Sequence, residues 1–474
     1  DLHVRSRRQR QMCIRDRIGR NRELKRALEN YWRDPATGGL LAATARNTVN
    51  SYIGAALKAG IDSVPTIGRS FYDSMLDTSA LLGVLPARFQ NVPKTDGSNL
   101  PEWINHYFAA ARGTKTQPAS AMTKWFDTNY HYIVPELSAD TEFTSDLTDW
   151  LDDSCSLNNG ATTMLRPHLI GPVTYLSLSR TDDDSNPLGL LEKLTDAYAE
   201  IIAQLGDKGF EWIQLDEPVL VTDLDEVTLA RTRQAYEKLA GVAESANTKL
   251  WVQTYFGDGD QALETLSGTG VQAIGCDLVA GSSELPHWTG KELLVAGIVD
   301  GRNVWRTDLD AALATLEKLA ARGPIAVSTS CSLLHVPYSL ASENPSEEDA
   351  EVLQWLAFGD EKIAEVTLLA RALDAKLNDR QLDAADLKVL RESRAALASR
   401  AESKRIVKPE VREALAAIED SDRNRSPFAA RQAAQAETLN LPPLPTTTIG
   451  SFPQTNSIRR ARAQPVSYTH LTLP

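Results

Sequence analysis

The sequence predicts an α/β fold: a (β/α)8 TIM barrel followed by a helical connector. Two observations carry this expectation. Short apolar runs of strand type alternate with helical stretches between residues 63 and 373, the order that gives a parallel sheet with helices outside it. Polar groups gather at the carboxyl ends of those runs, where barrels place their chemistry. The clearest case is Trp212-Ile213-Gln214-Leu215, an apolar run entering Asp216-Glu217-Pro218 between helical patterns at 190–205 and 225–244. A doubly wound open sheet is the alternative, but no Gly-rich dinucleotide fingerprint follows any strand.

Residues 22–32 open the readable chain. Leu24, Leu28, Tyr31 and Trp32 fall at helical spacing, with Arg22, Lys25 and Arg26 on the polar face. That face is either a solvated surface or a cationic clamp on an anion. A second helix fits 42–59 and closes at Gly60. Residues 63–68 read as a strand, and 70–82 as a helix with Asp73 and Asp77 outward. A helix is expected over 103–112. The run Met122-Thr123-Lys124-Trp125-Phe126-Asp127-Thr128-Asn129-Tyr130-His131-Tyr132 is dense in aromatics and hydrogen-bonding groups. It suits a loop lining a ligand site, or an aromatic cluster plugging one barrel end.

Strands follow at 167–170, 212–215, 249–254, 271–277, 292–298 and 324–329, with helices at 260–266, 308–321 and 346–373 between and after them. His168 near a strand end reads as a satisfied core residue. Neighbours in a strand point apart, so one of Asp216 and Glu217 can enter a pocket while the other braces a loop. Both could equally cap the next element. As a general base, either would suit a decarboxylase or hydrolase. Residues 373–437, rich in Ala, Arg, Glu and Asp, read as two or more surface helices, and the Pro442-Pro443-Leu444-Pro445 stretch marks a boundary.

Composition narrows the function. A net charge of −13 argues against a general nucleic-acid binder. No apolar run spans a bilayer. Four cysteines in 474 residues suit a reducing compartment, and a cytoplasmic location is expected.

The two ends read differently. Residues 12–16 (Met-Cys-Ile-Arg-Asp) can be written ATG TGT ATA AGA GAC, whose reverse complement encodes Val-Ser-Tyr-Thr-His, the residues at 466–470. Likewise CGG CAG CGT CAG for residues 8–11 reverses to Leu-Thr-Leu-Pro, the residues at 471–474. Residues 1–17 and 466–474 therefore resemble a sequencing-library transposase adapter translated from opposite strands. They are set aside like a fusion scar, and Cys13 and His470 with them. The natural protein is expected to continue beyond both.

Several stretches together resemble the cobalamin-independent methionine synthase family, in its long two-barrel form. They are Arg22-Glu23-Leu24-Lys25, the 122–132 run, Gly171-Pro172-Val173-Thr174, Ile213-Gln214-Leu215-Asp216-Glu217-Pro218, Gly301-Arg302-Asn303-Val304-Trp305-Arg306, Ser330-Cys331-Ser332-Leu333-Leu334-His335 and 446–453. The resemblance implies methyl transfer from 5-methyltetrahydropteroyltri-L-glutamate to L-homocysteine, giving L-methionine, by an enzyme that uses zinc and no cobalamin. It implies the first of two barrels over 18–372, a connector over 373–440 and the start of a truncated catalytic barrel over 441–465. The zinc ligands and the chemistry are expected beyond that point, with this fragment alone inactive and the complete protein a monomer that uses neither nucleic acid nor membrane. The folate tail is expected on Arg22, Glu23, Leu24, Lys25, Lys124 and Asn129, and homocysteine on Ile449, Gly450 and Ser451. Asp216 and Glu217 then become the non-catalytic twin of a motif in the second barrel. The family's opening strand is expected to be missing, which leaves a sheet edge unpaired and solubility poor. The competing reading is a stand-alone, non-catalytic folate-oligoglutamate binding barrel.

Overall fold

The computed structural model describes residues 19–66, 70–89, 100, 103–145, 147, 164–347, 349–447, 455 and 457–458. The described residues fall into two compact units, one ending at Glu402 and one starting at Ser403. In the first, the strands of three or more residues are β1 (Ser63–Thr66), β2 (Met122–Lys124), β3 (His131–Ile133), β4 (Met164–Ile170), β5 (Trp212–Asp216), β6 (Lys249–Gln253), β7 (Ala273–Asp277), β8 (Leu293–Val299) and β9 (Ile325–Thr329). Seven of them form one sheet in the order β1-β4-β5-β6-β7-β8-β9. Every neighbouring pair in it is parallel. β2 and β3 form a separate antiparallel hairpin.

The helices are α1 (Glu23–Tyr31), α2 (Gly38–Ala59), α3 (Ser74–Leu81), α4 (Ile104–Arg112), α5 (Pro172–Ser177), α6 (Leu191–Asp207), α7 (Glu226–Ser245), α8 (Asp260–Leu266), α9 (Leu309–Ala320), α10 (Gly359–Leu377) and α11 (Ala384–Glu402). Their ends follow local chemistry. Asp225 caps α7 by accepting from the Thr228 N–H at 2.7 Å, and Asp308 caps α9 through Ala311 at 3.0 Å. Gly60 ends α2 at φ 88°, a conformation glycine adopts without strain. The apolar faces of α5 to α9 pack on the sheet in one continuous core that includes Tyr198, Ile213, Leu215, Leu250 and Leu316. Parallel strands covered by helices are buried on both faces, and β5 to β8 accordingly run almost wholly buried. The fold is the expected α/β barrel with a helical region after it.

Two expectations are corrected. Asp73 and Asp77 point inward, at 1% and 4% exposure. Asp73 caps α3 through the Leu76 N–H (2.9 Å) and also accepts from the Ile133 N–H of β3 (3.1 Å), while Asp77 accepts from the Tyr107 hydroxyl (2.6 Å). Buried carboxylates are held by such donors, and neither partner is visible in the local pattern. The helix expected over 346–373 is broken: a short turn at Ala350–Leu353 is separated from α10 because Leu356 leaves the helical path to bridge Trp305. The expected boundary after residue 372 falls inside α10. Beyond it, α11 stays with the barrel through the Leu390 side chain and a two-pronged Arg371–Asp386 ion pair at 2.7 and 2.9 Å.

The second unit contains α12 (Pro409–Ala416) and α13 (Phe428–Leu439), neither with a buried residue. Most of 441–465, and the proposed adapter stretches 1–17 and 466–474, lie outside the described residues. No helix among the described residues is long and apolar enough to cross a membrane.

Candidate functional site

The acid-tipped strand β5 divides its two carboxylates as neighbours in a strand must. Glu217 turns back into the core and is fully buried. Its oxygens accept from the Val173 N–H (3.0 Å), the Thr174 N–H (2.6 Å) and the Tyr236 hydroxyl (2.8 Å). It therefore fastens the start of α5 to β5. Burial pushes its carboxyl up to about 7 against those donors.

Asp216 turns into the barrel. His168 Nε2 lies 2.8 Å from one oxygen, the Tyr255 hydroxyl donates to the same oxygen at 3.2 Å, and the Gln214 amide donates to the other at 2.6 Å. Gln214 in turn accepts from Arg166 Nε (2.8 Å), whose guanidinium lies 3.7 Å from the Trp251 ring centre. Each acid thus has a full set of partners. Asp277 and Asp300, at the ends of β7 and β8, spend their oxygens the same way. Asp277 takes the N–H groups of Val279, Ala280 and Phe256, and Asp300 takes those of Arg302 and Asn303. A general base needs an oxygen free to reach a substrate proton, and these acids brace loops instead.

The β2–β3 hairpin covers the carboxyl-terminal mouth of the barrel. Its tip is closed by the Trp125 N–H donating to the Tyr130 carbonyl (2.8 Å). Trp125, Tyr130 and Tyr132 are buried, whereas Lys124 and Asn129 are exposed. Phe126 meets Phe256 at 5.9 Å between ring centres, and Phe256 meets His335 at 5.7 Å. Arg302 lies over Phe256 and pairs with Asp127 at 3.0 Å. Burial and the neighbouring Arg302 hold the His335 imidazole down to about 4, so it is neutral near pH 7. Phe126 and Phe256 both adopt positive φ, 50° and 75°. Such backbone persists only where the surroundings fix it. The rings of Trp125, Tyr130 and Tyr132 plug the mouth, while Lys124, Asp127 and Asn129 stay outside.

The other expected site residues begin α1. Arg22 is its N-cap at φ 66° and supplies no side-chain cap. Glu23 accepts from the Asn21 N–H at 3.0 Å, and Lys25 pairs with Glu29 at 3.5 Å. Leu24 is 3% exposed and packs in a core with Phe71, Phe108 and Ile133. Arg20, just before α1, pairs with Asp360 in the first turn of α10 at 2.7 Å. α10 follows β9, so α1 starts at the same end of the barrel as the hairpin mouth. Among the described residues, the side chains of the two expected groups are not hydrogen-bonded to one another. Ile449, Gly450 and Ser451 lie outside the described residues. Sequence reasoning missed Tyr255 and Phe256, which join Asp216 to the hairpin. Their place just past a strand end was the available signal.

Among the described residues, no group of three or more His, Cys, Asp or Glu side chains could hold a metal ion. Cys276 and Cys331 are buried free thiols, both pushed up to about 12 by burial. A zinc ligand is a thiolate. These residues do not fit zinc, and no step is assigned through it.

Fold and site define a parallel β/α barrel with a hairpin-covered mouth, braced acids, an exposed Lys124 and half-buried Arg22 and Lys25. Residues 14–324 match the cobalamin-independent synthase N-terminal domain family, and the chain belongs to that family. The 5-methyltetrahydropteroyltriglutamate–homocysteine methyltransferase of Corynebacterium efficiens is 56% identical over 453 residues, covering 94% of this chain and 56% of its own. The protein of the same name from Mycobacterium tuberculosis is 47% identical over 454 residues, covering 94% and 57%. The chain thus spans about half the length of the curated relatives it matches. A B12-independent methionine synthase from Shewanella sp., solved in complex with selenomethionine, superposes with a TM-score of 0.52 at 15% identity over 72% of this chain and 91% of its own. At that identity the likeness concerns the fold alone.

Proposed function

We propose that this chain is the amino-terminal barrel of an enzyme that moves a methyl group from 5-methyltetrahydropteroyltriglutamate to homocysteine, forming methionine. Its own task is to hold the folate's oligoglutamate tail. The observation that carries the reading is 47–56% identity, over 94% of the chain, to relatives bearing that name. The geometry agrees with a binding role. Arg22 and Lys25 stand at the positive end of α1, and Lys124 and Asn129 stand on a hairpin pinned by Asp127–Arg302. Tail carboxylates seek such cations and open N–H groups. Glu23 orients the start of the helix, and Leu24 contributes its backbone.

Ile449, Gly450 and Ser451 are assigned to the amino-acid part of homocysteine. Zinc belongs with residues other than the described ones, and the enzyme is placed in the cytoplasm. The braced state of Asp216 and Glu217 favours binding over chemistry in this barrel.

Calorimetric titration tests the proposal. The chain should bind 5-methyltetrahydropteroyltriglutamate roughly tenfold or more tightly than the monoglutamate, since each tenfold step needs about 1.4 kcal/mol. Equal affinities would remove the tail-holding role.

A further inference from the structure

Two sequence stretches, 301–306 and 330–335, converge on the tip of the β2–β3 hairpin. The first is a loop tied at several points. Asp300 accepts from the Arg302 and Asn303 N–H groups at 2.7 and 3.1 Å, and the Asn303 side-chain oxygen accepts from the Trp305 N–H at 3.0 Å. The Gly301 N–H donates to the Ser330 hydroxyl at 3.1 Å. From α10, the fully buried Lys362 donates to the Trp305 carbonyl at 3.1 Å. A backbone held this way delivers Arg302 from a rigid base. Arg302 Nη1 reaches both carboxylate oxygens of Asp127, at 3.0 and 3.2 Å, and Nη2 reaches the Asp127 backbone carbonyl at 3.4 Å. The guanidinium lies 5.1 Å from the centre of the Phe256 ring, which is itself flanked by Phe126 and His335. One planar fork thus grips both the side chain and the main chain of a hairpin residue, a geometry that an ammonium does not offer.

The base of the hairpin has its own anchors: the Ile133 N–H donates to Asp73 at 3.1 Å, and the Tyr132 hydroxyl donates to the Leu178 carbonyl at 3.1 Å. The Arg302 grip falls at the tip. There Asp127 stands between Lys124 and Asn129, whose exposed side chains make no hydrogen bond or ion pair among the described residues. Left alone, the Asp127 carboxylate would repel an anionic ligand and compete for the Lys124 ammonium. Arg302 removes both effects. Building on the tail-holding role proposed for this barrel, we infer that Arg302 is the positioning residue of that site. It fixes the hairpin tip and masks Asp127, so that Lys124 and Asn129 are presented to the carboxylates of the tail. Arg302 acts through the hairpin, without touching the ligand, and sets the preference for a longer tail.

A double-mutant cycle of Arg302→Ala, Asp127→Ala and both, titrated in the intact chain with 5-methyltetrahydropteroyltriglutamate and with the monoglutamate, tests the assignment. Arg302→Ala should weaken triglutamate binding roughly five- to tenfold and monoglutamate binding less than about twofold. Asp127→Ala loses the anchor but also the repelling charge, so its loss should be smaller, about two- to threefold. The double variant should resemble Asp127→Ala, because without Asp127 the arginine has nothing to hold or mask. Amide exchange should quicken in 122–132 in every variant and stay unchanged in 212–216, which separates a loosened hairpin from an unfolded barrel. Asp127 is exposed, so its variant tests the clasp even where Arg302→Ala folds poorly. Losses that multiply in the double variant would overturn the inference, and so would unchanged hairpin exchange in Asp127→Ala. A triglutamate preference that survives Arg302→Ala would overturn this assignment alone. Equal binding of the two folates by the parent chain would remove the tail-holding role, and the assignment with it.

Discussion

Gly171 and Glu217 occupy one space. A Cβ placed on Gly171 would lie 2.3 Å from Glu217 Cδ, far inside van der Waals contact. The missing side chain lets the buried carboxylate reach the Val173 and Thr174 N–H groups at the start of α5. The glycine and the acid lie 46 positions apart and act as one joint between β4 and β5.

Gly171→Ala should therefore destabilise the barrel. Overpacking a closed core costs roughly 1–3 kcal/mol, and here the atom met is a hydrogen-bonded carboxylate with little room to yield. The denaturant midpoint should fall with its slope unchanged. An unaltered midpoint would mean that Glu217 can be displaced at no cost.

Glu217 should give the barrel a pH signature. Its folded pKa, about 7, lies above its ordinary 4.5. Its contribution is full below about pH 4.5 and is lost as pH rises through about 7. The loss is on the order of 3–4 kcal/mol, at about 1.4 kcal/mol per pH unit. His335 runs the other way, losing stability as pH falls from 6.5 toward about 4. It is present in both proteins of a wild-type and Glu217→Gln comparison, and cancels there. The wild type should lose melting temperature relative to the variant between pH 5 and pH 7.5. A difference that stays constant across that range would show that Glu217 does not titrate there.

Tyr107→Phe should cost roughly 1–3 kcal/mol, because it removes a 2.6 Å donor from the buried Asp77 carboxylate. Urea denaturation measures it. A loss below about 0.5 kcal/mol, the range of ordinary surface changes, would mean that Asp77 is satisfied without the tyrosine.

Much of this architecture is legible in the sequence because it is local. Asp225 and Asp308 announce helix starts, Gly60 announces a helix end, and the apolar runs of β5 to β8 stand out between them. What failed depended on partners distant in the chain. Asp73 and Asp77 look like surface acids until Ile133 and Tyr107 fold against them. Leu356 looks helical until Trp305 captures its backbone. The cationic half of the candidate site is visible as Arg22-Glu23-Leu24-Lys25 and Lys124, and the helical spacing of Leu24 with Leu28 and Tyr31 already places it on the buried face. Phe256 is marked in the sequence only by its place just past a strand end, and its role comes from meeting Phe126, Arg302 and His335 at the barrel mouth. The opposed directions of Asp216 and Glu217 follow from strand geometry alone. That both are braced required their neighbours.

Cations at the mouth of this barrel are proposed to hold a polyanionic folate tail. The most direct test compares triglutamate and monoglutamate affinities in the chain and in the Lys25→Ala/Lys124→Ala double variant. Each lost charge-assisted contact should cost about 1–2 kcal/mol, so the preference for triglutamate should collapse toward unity while monoglutamate binding changes less than about twofold. A double variant that keeps the full triglutamate preference would contradict the account.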